Sequence, residues 1–591
     1  MQRQFLFVIL FFTLILCVGC NHESLLNFDC GVFQFPLTAI NRNAKKAVIS
    51  NPESSAYAYF LFSEEDSSSI KIASETWGNV SFQVQLSVEE TPEVVDGQFA
   101  FGLLYKTDFD SNGKLKKNLA ERPLVRGQLP SGGNKIKVSI ATLNTELDKV
   151  KGFLVHSTGK VAVAIEQSSM LPCRIGYNLA SSVPEYYFGE EGGILEVKPG
   201  DSLTSIDFSK AQKLFPVAES SGNRPVIKVS LLPIVTQPVS PLEQLRLMID
   251  IGGEEIFVRR TLGQKQITLH CSALNNPFSL VEPKTEVDHV IAIVMEYVSA
   301  PSTKDVVLSP LDTDPGMIPL WPMASWRCSD YELFQWEQFP GVLFFDCANY
   351  KIQDDFFKRL AFFTEKTGYI GTLVADSVIK NKHGFNAHDY RAETLAKFFS
   401  LATETNFPLN SKEQILCDIL VANKIIIPQK NDGIVTGYSP GYGAIISISQ
   451  ESPLYLRYTF IAHEGLHGLY FIDSGFRQKV KEVFETSDKD SIAFLLRFFQ
   501  IQDSLNYNLE DTYLVQNEFM AYVMQQSVSR TASYFADNIA WRGTMLRAEP
   551  ELSAYVRNTK GKGFEQASER LSQYVFERWG IESGRVALVT R

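Results

Sequence analysis

The period of the hydrophobic pattern changes once along this chain, near residue 325, and that change limits what either side of it can become. Before it, apolar residues alternate with polar or small ones. Phe82, Val84, Leu86 and Val88 alternate with Gln83, Gln85 and Ser87, and Ile136, Val138 and Ile140 with Lys137 and Ser139. Val161, Val163 and Ile165 do the same with Ala162 and Ala164 between them. A strand sends successive side chains to opposite faces, so each run gives a sheet one apolar face. The pattern resumes after Cys173 in Ile227, Val229 and Leu231, and in Leu245, Leu247, Ile249 and Ile251. Gly252-Gly253 then marks a tight hairpin into Ile256-Phe257-Val258. The run over 287–298 is long and apolar enough for a central strand. Short strands separated by Gly, Pro, Asn and Asp turns predict β-sandwiches. The stretch is too long for one, so two modules are expected, at 46–170 and 171–325. The segments 152–167 and 289–298 would be their equivalent closing strands.

Beyond 325 the spacing is helical. Phe356, Phe357, Leu360 and Phe363 predict one helix with Gly368 as its C-cap, and Leu395, Phe398, Phe399 and Ala402 a second. Ser411 with Gln414 reads as a capping box for a third. Residues 443–449 read as a strand, and helices follow to the end. The expected architecture is therefore multidomain, with all-β sandwich modules followed by a mainly helical α+β domain over 326–591. The chain has 591 residues, 45% hydrophobic and 21% charged, as folded globular protein does. Its net charge of -11 argues against a nucleic-acid partner bound on a basic surface.

The N-terminus reads as a targeting segment. Arg3 precedes an apolar run over 5–18, which is too short to span a bilayer comfortably. It ends in Cys17-Val18-Gly19-Cys20, which resembles a bacterial lipobox, with Cys17 where leucine is usual. The resemblance implies a signal peptide over 1–19, a lipid on Cys20, a tether over 20–45, and export to a membrane face. Six cysteines would remain, widely spaced and with no CxxC, so neither a zinc ribbon nor a redox motif is present. Some could pair in an oxidising compartment, and others could stay buried thiols.

The chemistry-bearing motif is His463-Glu464-Gly465-Leu466-His467. Ser452-Pro453 suits a helix start, and the helix is expected to run to about Asp473, with Gly475 beyond its end. Residues four apart share a helix face, so both imidazoles reach one cation with Glu464 beside them. Two histidine ligands and a carboxylate that activates water is the HExxH arrangement. The apolar flanks Phe460, Ile461, Leu469 and Tyr470 imply burial. A buried imidazole pair is costly without a partner, and a metal removes that cost.

A third ligand must come from elsewhere. Glu518 stands in Asn517-Glu518-Phe519-Met520-Ala521, on a helix expected over 508–530. With this the sequence resembles the gluzincins, the thermolysin-like metallopeptidases, in which a glutamate on a later helix, often as Asn-Glu-x-x-Ala, completes the site. The resemblance covers two motifs and the strand before the first. It implies a zincin-like fold, one Zn2+ per chain held by His463, His467 and Glu518, Glu464 as general base, and hydrolysis of peptide or protein substrates. It also implies that strand 443–449 is the edge that lines the cleft and pairs with extended substrate. Asp473, six residues after His467, is the competing ligand. Tyr470 stands where a metzincin-like turn needs glycine, and continuing helix would carry Asp473 about 120° away from His467. Tyr522 departs from the family's usual aspartate. His388, Tyr442, Tyr522 and Arg542 are the candidates for an oxyanion stabiliser. The sandwich modules would contact a glycan or a protein, or act only as spacers. The alternative reading is an inactive or adhesin-type envelope lipoprotein that keeps the zincin fold.

Overall fold

The computed structural model describes residues 306–590, leaving out 383, 503–504 and 506, and before them 24–25, 28–34, 46–49, 56–64, 67–68, 70–71, 79–90, 98–116, 125–128, 135–142, 144–157, 161–178, 181, 183–188, 194–197, 205–206, 224–236, 238–244, 246–251, 254–270, 278–281 and 290–298. The leader, Cys20 and the Gly252-Gly253 turn lie outside the described residues. The chain forms two compact units, Met1–Val226 with Ala273–Pro277 and Ala292–Ser299, and Ile227–Ser272 with Phe278–Ile291 and Ala300–Arg591. β-Sheets make up the N-terminal part, and helices dominate the C-terminal part.

In the first unit two sheets share one core. One runs in the order Phe28–Gln34, Ala56–Phe62, Val150–Ser157, Gln98–Tyr105, Val125–Gln128. The other is centred on Val80–Glu90, between Val161–Pro172 and Lys135–Thr142. The alternation read from the sequence sets the register. Phe82, Val84 and Leu86 lie opposite Ile140, Val138 and Ile136, and all six are buried. Phe153 of the first sheet meets Phe82 of the second edge-on, with ring centres 5.7 Å apart. The expected boundary at 170/171 falls inside this unit. The reason is that Val161–Pro172 is one strand, paired with Val80–Glu90 as far as Pro172 opposite Val80.

The second unit contains β1 (Arg246–Ile251) and β2 (Glu254–Arg259), an antiparallel pair in which Ile251 sits opposite Glu254, the register of a two-residue turn. β3 (Phe278–Val281) pairs with the other edge of β1. The end of the chain returns to this sheet, because Val589 and Thr590 pair with Val258 and Phe257 of β2. Asp314 fastens the return by accepting from the amides of Leu588 and Val589, at 2.9 and 3.0 Å. The expected boundary at 325/326 therefore lies within a single unit.

A five-stranded sheet carries the rest. Its strands are β4 (Leu311–Thr313), β5 (Tyr331–Trp336), β6 (Val342–Cys347), β7 (His388–Arg391) and, after the hairpin β8 (Ile426–Asn431) and β9 (Ile434–Pro440), β10 (Ala444–Ser449). The order is β4-β5-β6-β10-β7. β6 and β10 are parallel and wholly buried, and β7 is antiparallel to β10. Leu343, Phe345 and Ile445 face a core built with α1 (Tyr350–Thr364), α2 (Ala392–Glu404) and α3 (Ser411–Ala422). Their neighbours Val342 and Ile446 point to the opposite face. There they meet α4 (Leu454–Ile472) at Gly468, where an added Cβ would lie 3.0 Å from Val342 and 3.2 Å from Ile446. Glycine at this position lets the helix seat directly on the sheet.

Some helix ends differ from the expected ones. α1 stops at Thr364, and Gly368 follows its cap Glu365 rather than serving as one. Asn410, not Ser411, caps α3, and Glu413 closes the box by accepting from the Asn410 amide at 2.9 Å. α4 starts at Leu454 with Pro453 as its cap, while Ser452 is buried against the Tyr350 hydroxyl at 2.9 Å. Gly475 lies inside the next helix, α5 (Ser474–Thr486), because Asp473 leaves the helical region and caps it. Two further helices that matter below are α6 (Lys489–Ile501) and α7 (Thr512–Met524), the second lying against α4.

Cys347 and Cys417 are free thiols. Among the described residues no helix is long and apolar enough to cross a membrane.

Candidate metal centre

α4 sets His463 and His467 one turn apart, with ring centres 4.8 Å from each other and planes at 81°. α7 brings Glu518 to the same place. Its Oε2 lies 3.9 Å from His463 Nε2 and its Oε1 3.8 Å from His467 Nε2. Both separations exceed a hydrogen bond. They approach the roughly 3.4 Å between ligands held tetrahedrally at about 2 Å from one ion. One donor atom from each of the three residues lies within 4.8 Å of the other two. Glu518 is 4% exposed, yet its Oε2 has no hydrogen-bond partner. An orphaned buried carboxylate oxygen between two imidazole nitrogens is chemistry that a cation completes.

The surroundings orient these donors. His463 Nδ1 is 3.1 Å from Gln525 Oε1. With that oxygen accepting, Nδ1 carries the proton and Nε2 keeps its lone pair toward Glu518. Tyr507 donates to Glu518. Nδ1 of His467 and Oδ1 of the adjacent Asn517 are both buried without a hydrogen-bond partner. Glu464, 7% exposed, shares a hydrogen bond with Asp389 of β7.

Electrostatics follow from this burial. It pushes His463 down to about 3, helped by the neighbouring His467, and His467 down to about 4, with Asn517 opposing. It raises Glu464 and Glu518 well above the usual carboxylate range, and repulsion from Asp389 adds to both. Burial also raises Asp389, and it raises Glu365 with Asp389's charge adding to the effect. Two neutral imidazoles thus face carboxyl groups that have too little positive charge around them.

A cavity of about 550 Å3 opens over the cluster. Of the proposed oxyanion stabilisers, His388, Tyr522 and Arg542 line it. The Tyr522 ring is 5.2 Å from that of His463. His388 Nδ1 is 3.0 Å from the Tyr390 hydroxyl. Tyr442 is elsewhere, 60% exposed and lying 3.1 Å from a Cβ built on Gly341. Asp473 is also elsewhere. Its carboxylate accepts from the Phe476 amide at 2.6 Å and pairs with Arg578 at 2.9 Å. The strand over 444–449 is not the cleft edge, because β6 and β7 flank it on both sides. Among the described residues the edge is β7, and Asp389 lies on it.

Sequence reasoning did not pick out Asp389, Glu365, Tyr507, Tyr534 or Gln525. Asp389 sits in a four-residue strand without alternation, and Glu365 one residue beyond a helix end, so neither had a local signal. Gln525 did have one, since positions 518, 522 and 525 fall on one helix face.

No protein-family model and no curated protein matches this chain. One similar solved structure is the binding domain of botulinum neurotoxin DC in complex with rat synaptotagmin II. It is 7% identical with a TM-score of 0.14, covering 47% of this chain and 89% of that one. Another is the CBM22-1-CBM22-2 tandem domain of Paenibacillus barcinonensis Xyn10C, 10% identical with a TM-score of 0.13, covering 48% and 99%. Similarity this low carries no argument about fold or function.

Proposed function

We propose that this chain is a zinc-dependent peptidase of gluzincin type. The observation that carries the reading is the convergence of His463, His467 and Glu518 on one point, with Glu518 Oε2 buried and unpartnered and Glu464 alongside. Zinc, held by these three, would polarise the scissile carbonyl and make a water molecule acidic near neutral pH. Glu464 takes the proton of the attacking water and delivers it to the leaving nitrogen. Asp389 holds the Glu464 carboxyl in place from β7. Tyr522 and Arg542 line the cavity on the His463 side and offer donors to a developing oxyanion. A peptide is favoured as substrate because β7 is paired on one side only among the described residues, and its free edge can align an extended chain.

The N-terminal leader and Cys20 support export and attachment to a bacterial membrane through lipid. The β-sheets of the first unit would contact glycan or protein, or hold the enzyme away from the surface.

The test is Glu464→Gln in the full chain. The variant is expected to bind one zinc per chain and to lose peptide hydrolysis about 10²–10⁴-fold. A folded wild-type chain that takes up no zinc would sink the reading.

A further inference from the structure

Besides the metal donors and the general base, the site contains two more carboxylates, Asp389, which holds Glu464, and Glu365, which has no part in the proposed reaction. A second cavity, of about 320 Å3, adjoins the first, and the two share Glu365, Asp389 and Glu518 alone among their lining residues. The volume is at the lower end of the roughly 300–1,000 Å3 usual for small-ligand sites. Phe363, Phe471 and Leu514 give the smaller cavity an apolar wall, and the carboxylates Glu365, Asp389, Glu393, Asp511 and Glu518 line it against the two cations Arg391 and Lys397. Glu365 has no hydrogen bond or ion pair with any described residue, and Glu518 presents its unpartnered Oε2 at the same junction. The charge of Lys366 offsets part of that of Glu365. The Lys366 ammonium lies 3.5 Å from the centre of the Phe385 ring, and the Arg391 guanidinium 4.2 Å from that of Tyr513. One zinc ion balances part of this negative charge and leaves Glu365 beside the hydrogen-bonded Asp389 and Glu464. A cavity with an apolar wall and more carboxylates than cations in its lining fits a cation on an apolar stem.

We propose that Glu365 and Asp389 form a subsite for an organic ammonium group of the substrate, either an N-terminal α-amine or a lysine side chain, which enters the smaller cavity. This rests on the peptidase reading and adds a substrate class to it. Peptides carrying an ammonium next to the scissile bond are preferred, because it gives Glu365 a partner.

The test uses the zinc-loaded full chain and matched peptides, with lysine or norleucine flanking the scissile bond and the N-terminus free or acetylated. The ammonium-bearing member is expected to have a kcat/KM at least about tenfold higher, and Glu365→Gln to collapse that ratio. The ratio is taken within each protein, so a general loss of activity does not imitate the effect. If acetylation removes the preference, the ligand is the α-amine, and if norleucine removes it, the ligand is the side chain. A wild-type enzyme that treats neutral peptides equally or better overturns the subsite, as does a second zinc ion per chain that is lost in Glu365→Gln. If no peptide is cleaved at all, the peptidase reading fails, and calorimetry with lysinamide against norleucinamide still decides the subsite. Equal binding of the two overturns it.

Discussion

The helical unit buries carboxylates in two ways. In the sheet core, Glu332 pairs with Arg327, Asp346 with Arg457 and Glu413 with Arg359, each arginine at most 5% exposed. Around the cavity, Glu365, Asp389, Glu464 and Glu518 are gathered with no arginine or lysine bonded to any of them among the described residues. Each of the first group has an arginine within the fold, although one oxygen of Asp346 keeps no partner. In the second, Asp389 and Glu464 share a hydrogen bond and Tyr507 donates to Glu518, but no arginine or lysine is bonded to them among the described residues. Burying a charge without a cation costs several kcal/mol, so a fold that gathers four carboxyl groups around one cavity is holding them for a ligand rather than for stability.

Breaking the pairs and loading the cavity should therefore act in opposite senses. The largest effect is expected in the core. Arg327→Met leaves the buried Glu332 with only the amides of residues 327 and 333 and should cost about 3–5 kcal/mol, read as a lower denaturant midpoint. A loss below about 1 kcal/mol would remove the contrast between the two regions. Next comes Gln525→Ala, which frees the His463 ring. It should weaken zinc binding about 10–100-fold by competition with a chelating dye, while the stability of the zinc-free chain changes little. The third change is in the cavity itself. Glu464→Gln removes one of the crowded carboxyls and should stabilise the zinc-free chain by on the order of 1 kcal/mol. Destabilisation instead would mean that the Glu464–Asp389 hydrogen bond outweighs the crowding.

The smallest effect is the pH trend. A carboxyl raised on folding contributes stability that is present below about pH 4.5 and lost as pH rises through its folded value. A lowered histidine contributes stability that is present above about pH 6.5 and lost as pH falls toward its folded value, here about 3 and 4 for His463 and His467. Between about pH 7 and 9 only the carboxyls titrate, so the zinc-free chain should become less stable as pH rises. Saturating zinc should reverse this slope, because the metal binds the deprotonated donors. Melting curves at three pH values with and without zinc would show it, and parallel slopes would contradict the account.

The same contrast explains what could be read in advance. Apolar alternation predicted Val80–Glu90 and Lys135–Thr142, since one-sided burial acts on every second residue. Helical spacing predicted α1, α2 and α4. The HExxH motif and the Asn-Glu pair named three residues that the fold does bring together. Long-range closure left no such trace. Nothing local to Val589 signals a partner at Val258, so the expected boundary at 325/326 cut through one unit. Asp473 had ligand spacing, but its short side chain was nearer the amides of α5, and capping took it. The strand over 444–449 read as an edge because only its position before the helix was visible. Its partner β7 comes from more than fifty residues upstream.

The central claim is that His463, His467 and Glu518 hold one metal ion. It is tested most directly by diffraction at the zinc absorption edge from crystals of the zinc-loaded chain. The account predicts a single anomalous peak per chain, about 2 Å from an imidazole nitrogen of each histidine and from a Glu518 oxygen. A peak held instead by Asp389 and Glu464, or no peak in a crystal with the helices in place, would contradict it.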